Sequence, residues 1–187
     1  MNVESKISEF QSADTNYLNV AGLFAGIGGF EVGLRKSGHE TLALCDVDSA
    51  AQDVLRCHFK NCEILSDVRN IDTLPTGINL LTAGFPCQDL SSSGLKQGLT
   101  GQKSSIVSEV FRILKKNRIE WVLIENVHFM LHLKKGSMIN EITMNLDKLG
   151  YNWAYRVLNT NAFGLPQRRH RVFILASKNN DPRNVLL

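Results

Sequence analysis

Short apolar runs, separated at regular intervals by helix-patterned stretches, constrain this chain more than any other feature. Runs near Leu18–Leu23, Thr41–Cys45, Cys62–Leu65, Leu80–Ala83, Trp121–Ile124, Ala154–Leu158 and Val172–Ala176 have the length of strands. Between them fall helix patterns: Gly29–Lys36, stopped by Gly38; Ser49–Phe59, with Ser49 as N-cap; Ser104–Lys116, with a basic last turn; and Ser137–Leu149, stopped by Gly150. Such alternation specifies βαβ units, hence an α/β fold with an open, mostly parallel seven-stranded sheet covered on both faces. The stretch Asn159–Arg171 between the last two strands carries no helical pattern, which suits an antiparallel pair at the sheet edge.

A chain of 187 residues can bury about 70% of the surface that its unfolded form exposes. With 43% hydrophobic and 21% charged residues it reads as an ordinary globular domain, and no apolar run reaches membrane-spanning length. Residues 1–17 read as a flexible polar leader without a signal-peptide pattern, and 18–187 as one catalytic and cofactor-binding domain, so a cytoplasmic location is expected. The four cysteines, Cys45, Cys57, Cys62 and Cys87, therefore read as thiols. Cys57, His58 and Cys62 lack a paired Cys-x-x-Cys knuckle, and no metal is assigned to them. Charge is unevenly spread: through Lys103 there are 12 acidic against 8 basic residues, and from Ser104 onward 6 against 13. A basic second half permits a nucleic-acid partner, although lysines on solvated helix faces produce the same bias.

Four segments carry candidate chemistry. Leu23-Phe24-Ala25-Gly26-Ile27-Gly28-Gly29-Phe30 follows a strand and opens a helix, and Asp46 ends the next strand 20 residues after Gly26. Glycines there let a ligand approach the backbone, and the acid can accept hydrogen bonds from ribose hydroxyls; a tight strand-to-helix turn would need the same glycines. Gly84-Phe85-Pro86-Cys87-Gln88-Asp89-Leu90-Ser91 follows a strand at the carboxyl edge, where open α/β sheets bind ligands. Cys87 is either a reactive thiol there or a structural cysteine before a solvated loop. Glu125-Asn126-Val127 follows Trp121–Ile124, and a carboxyl group at the end of a buried strand is expected to hold its proton more tightly than usual, unless it caps a neighbouring helix or pairs with a lysine. Gln167-Arg168-Arg169-His170-Arg171 leads into the last strand, where alternation puts Arg169 and Arg171 on one side and Arg168 and His170 on the other. Two guanidiniums so placed suit a phosphate and a base carbonyl, or a charged edge strand that resists aggregation.

Taken together and in this order, Phe24-Ala-Gly-Ile-Gly-Gly, Pro86-Cys-Gln-x-x-Ser-x-x-Gly, Glu125-Asn-Val and Gln167-x-Arg169-x-Arg171 closely resemble the signature blocks of the cytosine-5 DNA methyltransferase family, from about Leu18 to Lys178. The resemblance implies a Rossmann-like methyltransferase fold that binds S-adenosylmethionine, acts on double-stranded DNA and serves in restriction and modification. It implies Cys87 as the nucleophile that adds to carbon 6 of a flipped cytosine. Glu125 would hold nitrogen 3 and the exocyclic amine, Arg171 would grip the base carbonyl, and Arg169 would position Cys87 or a phosphate. For the cofactor it implies Phe24 against the adenine, Gly26, Ile27, Gly28 and Gly29 around the methionine part, Asp46 on the ribose, and Asp67 and Val68 as the next adenine contact.

The chain departs from the family pattern at two places. Val47 stands where the family often has an aromatic residue, and Lys103-Ser-Ser-Ile106-Val107 stands where it usually has Arg-x-x-Leu-Phe; Ile106 is kept as a cofactor contact. The family also continues into a target-recognition domain and a closing segment that are not in these 187 residues, so a second polypeptide or a truncated product is expected. Three rivals remain: an RNA cytosine methyltransferase, a non-catalytic partner-dependent subunit, and a nicotinamide oxidoreductase. The last gives the Pro-Cys-Gln block no role.

Overall fold

A computed structural model describes residues 17–86 and 106–187. Expectations for the leader, for Cys87 and for the first two residues of the Ser104–Lys116 helix lie outside the described residues. The described residues form a seven-stranded sheet in the order β3-β2-β1-β4-β5-β7-β6. Its strands are β1 Asn19–Leu23, β2 Glu40–Cys45, β3 Glu63–Leu65, β4 Leu80–Ala83, β5 Trp121–Val127, β6 Asn152–Asn159 and β7 His170–Ser177. The first five pair in parallel, whereas β7 is inserted antiparallel between β5 and β6. The helices are α1 Gly29–Lys36, α2 Ser49–His58, α3 Ile106–Lys116, α4 Ser137–Lys148 and the short α5 Arg183–Leu186.

All four residues of β4 are buried, as a central parallel strand covered on both faces requires. Register sorts the two faces. Gly22 of β1 lies opposite Leu44 and Thr82, and Leu44 opposite Ile64, so this row faces α1 and α2. Leu55 and Phe59 of α2 close over Leu44. The alternate row, Ala21, Leu81, Val122, Ile124, Ile174 and Ala176, forms the main core with Val110 and Ile113 of α3 and Ile142 and Leu146 of α4. Tyr151 ties α4 to the sheet by donating its buried hydroxyl to the Ile119 carbonyl at 2.7 Å.

Two expectations are corrected. Asp48, not Ser49, caps α2: its Oδ1 accepts from Ala50 N at 2.9 Å, and a charged carboxylate also complements the helix dipole. The strand expected at Trp121–Ile124 runs on to Val127, because pairing with β7 continues as far as Val127 opposite Arg171. Glu125 is therefore a strand residue. The last two strands form the antiparallel pair expected at the sheet edge, with β6 outermost.

One buried acid has no counterpart in the sequence reading. Glu31 on α1 is 1% exposed and lies over Gly22, where even a Cβ would overlap its Oε1 and come within 2.7 Å of Leu44 Cδ2. The Thr82 hydroxyl donates to Glu31 Oε1 at 2.9 Å, and among the described residues Oε2 has no hydrogen-bond partner. Burial raises its pKa, against weaker opposing hydrogen bonds from backbone and Thr82. A carboxyl group whose folded-state pKa is raised favours folding while protonated, and that advantage is lost as pH rises through the folded value. Glu31→Gln is thus expected to match the parent in acid and to become more stable than it toward alkaline pH. The difference should grow by at most about 1.4 kcal/mol per pH unit. Urea unfolding across pH measures it; a constant difference would show that Glu31 does not titrate.

Candidate active site

Strand order reverses between β1 and β4, and open α/β sheets bind their ligands in the crevice outside the strand ends at such a point. Both glycine-bearing segments leave the sheet there. After β1, Phe24 has φ 57°, Gly26 φ 55° and Gly28 φ 85°, three left-handed residues within five. Phe24 is the informative one, because a bulky non-glycine residue holds that conformation only when its surroundings enforce it. The enforcing bonds run from Ala25 N to Cys45 O at 3.0 Å, Gly26 N to Asp46 Oδ2 at 2.7 Å and Gly28 N to Ala25 O at 2.9 Å. Asp46 therefore shapes the glycine turn itself. Its Oδ1 also accepts from Asp48 N at 3.0 Å, and its carbonyl accepts from Gln52 Nε2 at 2.8 Å.

The glycines have different reasons. A Cβ at Gly28 would strike the Phe59 ring and crowd Leu55, so this residue lets α1 approach α2. Cβ atoms at Gly26 and Gly29 would meet nothing within 4 Å, which leaves open space over the turn. Ile27, 66% exposed, and Val47, 76% exposed, lie on the turn and beside Asp46. Open space, two exposed apolar side chains and a half-buried carboxylate suit an adenosine-bearing ligand.

The other cofactor expectations fare unevenly. Asp67 is half-buried and accepts from its own Arg69, whose Nη2 lies 2.6 Å away, and caps the 3-10 turn Val68–Asn70. The Arg69 side chain holds its carboxyl below the ordinary range. Val68 is 4% exposed with its side chain in the core, and its carbonyl already accepts from Arg112 Nη2 at 3.0 Å and Ile71 N at 3.3 Å, so only its backbone N–H is left to meet a ligand. Ile106 opens α3, half-buried against the same core. Phe24 is half-buried, with the Phe85 ring edge-on at 6.2 Å.

On the β4 side, Gly84 brings the two halves together. A Cβ there would lie 3.7 Å from Glu125 Oε2, 3.8 Å from the Phe30 ring and 3.9 Å from Phe24 O. The segment that leads to Cys87 thus leaves the sheet between the glycine turn and Glu125, while Cys87 itself lies outside the described residues. Asn126, 3% exposed, fixes this segment: its Nδ2 donates to Phe85 O at 2.9 Å, and its Oδ1 accepts from Val127 N at 2.9 Å. Sequence reading gave Asn126 no role. The only available signal was an amide in a strand that is otherwise apolar up to Glu125.

Glu125 points to the face opposite Asn126 and pairs with Arg171, Nε to Oε1 at 2.8 Å. Arg169 also acts on the carboxylate. Burial pushes the Glu125 pKa up and outweighs the downward pull of the two guanidiniums, Arg171 first. The site therefore holds a carboxyl group whose protonated form burial favours, held in place by a fixed cation. Among the described residues no group of three His, Cys, Asp or Glu side chains is arranged to hold a metal, and no helix is long and apolar enough to cross a membrane.

Fold and site together define an α/β protein of the nucleoside-cofactor type, with a partly buried carboxyl group and two guanidiniums beside the cofactor turn. Comparison gives the family: the model for C-5 cytosine-specific DNA methylase matches residues 18–186, and the chain belongs to that family. Type II methyltransferase M2.BsuMI of Bacillus subtilis (strain 168) is 47% identical over 90% of this chain and 44% of its own length. Type II methyltransferase M.BanI of Aneurinibacillus aneurinilyticus is 34% identical over 88% of this chain and 39% of its own. The chain thus spans under half the length of these two relatives. The crystal structure of S. pombe Dnmt2 methyltransferase superposes with a TM-score of 0.73 at 23% identity, covering 88% of this chain and 52% of the other, which supports the fold. C-5 DNA methyltransferases take their methyl group from S-adenosylmethionine.

Proposed function

We propose that this chain carries the cofactor and catalytic residues of a DNA (cytosine-5)-methyltransferase of the restriction-modification type. The observation that carries the reading is the position of Gly84, which lies beside both Glu125 and Phe24 and begins the segment that bears Cys87. The segment that bears the assigned nucleophile then starts from a strand end that adjoins both the acid and the cofactor turn.

When bound, S-adenosylmethionine supplies an electrophilic methyl group. Phe24, Gly26, Ile27, Gly28, Gly29, Asp46 and Val47, with the backbone at Asp67 and Val68 and the side chain of Ile106, are assigned to holding it. Carbon 5 of cytosine is a poor nucleophile until the ring is made electron-rich. The Cys87 thiolate adds to carbon 6, forming a carbon–sulfur bond, while Glu125 gives its proton to nitrogen 3 and so neutralises the charge that would build there. Carbon 5 would then take the methyl group, with the electron pair of the broken methyl–sulfur bond staying on the donor's sulfur. Loss of the carbon 5 proton to a base returns the electron pair that expels Cys87 as thiolate, and nitrogen 3 gives its proton back to Glu125. Arg171, fixed by Glu125, holds the base carbonyl, and Arg169 holds the approach of Cys87 or a neighbouring phosphate. The cytosine must leave the stack to reach these groups, which costs a few kcal/mol. Phosphate attraction by the basic second half carries no sequence information, so a polypeptide segment for target recognition belongs to the same reading.

The test is incubation with S-adenosylmethionine and duplex DNA containing 5-fluorocytosine, followed by denaturing electrophoresis, alongside calorimetric titration with S-adenosylmethionine alone. Fluorine cannot leave carbon 5 as a proton does, so release stalls. A covalent adduct that depends on the cofactor is expected. Absence of both adduct and cofactor binding would overturn the reading.

A further inference from the structure

Three histidines absent from the mechanism above share the rim of the same strand ends. Strand β7 places Arg171 opposite Val127, so the next pair outward is His170 and His128. The ring of His128 lies 5.5 Å from that of His132, edge to face, and 6.1 Å from that of His170. His132 and His170 are exposed and His128 is half-buried. Alternation puts His170 on the face opposite Arg171, so this cluster flanks the base-holding groups from the other side of the sheet.

Among the described residues, the segments that carry the three histidines bear mainly basic charge. The 3-10 turns His128–Leu131 and Leu133–Gly136 carry no acid, and neither does the first turn of α4. Lys135 is exposed on the second turn, and Arg168 and Arg169 are exposed in the segment entering β7. Of the carboxylates on neighbouring elements, Glu125 of β5 points to the other face and is paired with Arg171, and Glu141 is exposed in the second turn of α4. From β6 the cluster meets Asn159, the strand partner of His170, which is uncharged. One imidazole in contact with two others, on elements that carry basic side chains and, among the described residues, without metal-binding geometry, is suited to an anion.

We propose that His128, His132 and His170 form a backbone-phosphate site for duplex DNA on the rim of the active site, and that this site takes up protons as it binds. The inference rests on the DNA-substrate reading. Imidazole ordinarily titrates between about pH 5 and 8. A phosphate seated among the three rings favours the charged form of each, so binding and protonation are linked.

The experiment is fluorescence anisotropy of a rhodamine-labelled DNA duplex with the full chain at low salt, where phosphate contacts count most. Affinity of the parent chain is expected to rise about tenfold or more between about pH 8 and pH 6, as uptake of at least one proton demands. The His132→Gln, His170→Gln double variant should change by less than about threefold over the same range. A single His132→Arg variant, which carries a permanent charge, should bind at about pH 8 more tightly than the parent. Calorimetry in two buffers of different ionisation enthalpy reads proton uptake directly, and uptake should fall in the double variant. A parent affinity that does not change with pH, or an equal rise in the double variant, would overturn the site. Equal rise would place the titrating group elsewhere, Glu125 being the first alternative. Absence of duplex binding at every pH would also overturn it, whereas the methyltransferase reading is judged separately by the adduct on 5-fluorocytosine.

Discussion

Cys87→Ser is expected to leave no covalent adduct on 5-fluorocytosine DNA and no measurable methyl transfer, while S-adenosylmethionine still binds. The step that the thiol performs is addition to an aromatic ring carbon, and the attacking species must be an anion. A thiol ionises near pH 8.5, so a useful fraction is thiolate at neutral pH, whereas a serine hydroxyl at the same place stays protonated without a dedicated base. The oxygen nucleophile is also a poorer match for a carbon that must later release it. Cofactor affinity serves as the control, because the Phe24–Gly29 turn is held by Asp46 and Cys45, with Cys87 on a different segment. Adduct formation undiminished in the serine variant would remove Cys87 from the mechanism. Loss of cofactor binding in parallel would mean that the substitution had disturbed the fold.

Glu125→Gln is expected to lower methyl transfer by about 10²–10⁴-fold, the usual weight of a positioned proton donor, with most of the loss in kcat. The amide keeps the shape and can still donate to nitrogen 3, but it has no proton to give up. Its effect on pH dependence is the sharper readout. Burial raises the Glu125 pKa, so the protonated form persists toward neutral pH and is lost as pH rises through the folded value. The parent should therefore show an alkaline fall in kcat that the glutamine variant lacks. The substitution also removes the carboxylate that Arg171 contacts at 2.8 Å, so Arg171→Lys should fall in the same assay for loss of the planar fork. A glutamine variant with the parent's pH profile and a rate within about threefold would show that Glu125 only positions Arg171.

Much of the architecture is legible in the linear chain because it is set by local rules. Leu80–Ala83 is apolar throughout and short, and Gly29–Lys36 is bounded by Gly28 and Gly38; both elements occur with those bounds. The position of Asp46 after the second strand pointed to the glycine turn, and the structure adds a direct bond to Gly26. The four motif blocks also identified the family, because each block is a contiguous run whose chemistry depends on neighbours in sequence.

What the chain order could not settle are quantities fixed by register and burial between distant segments. Whether Glu125 ends a strand or lies inside one depends on how far β7 pairs with β5, and that pairing places Arg171 on the same face as the carboxyl group. The same register brings His170 to His128, although the two belong to different motifs and neither looks special alone. Glu31 carries no signal of its own in sequence, yet the absence of a side chain at Gly22 leaves room in the sheet that its carboxyl group fills together with Leu44. Asn126 is hidden for the same reason: its hydrogen bond to Phe85 O exists only because β4 and β5 are neighbours. Periodicity and turn chemistry act over a few residues and so determine elements and motifs. Which face a polar group occupies, and what it costs to ionise there, is decided only when the strands are paired and water is excluded.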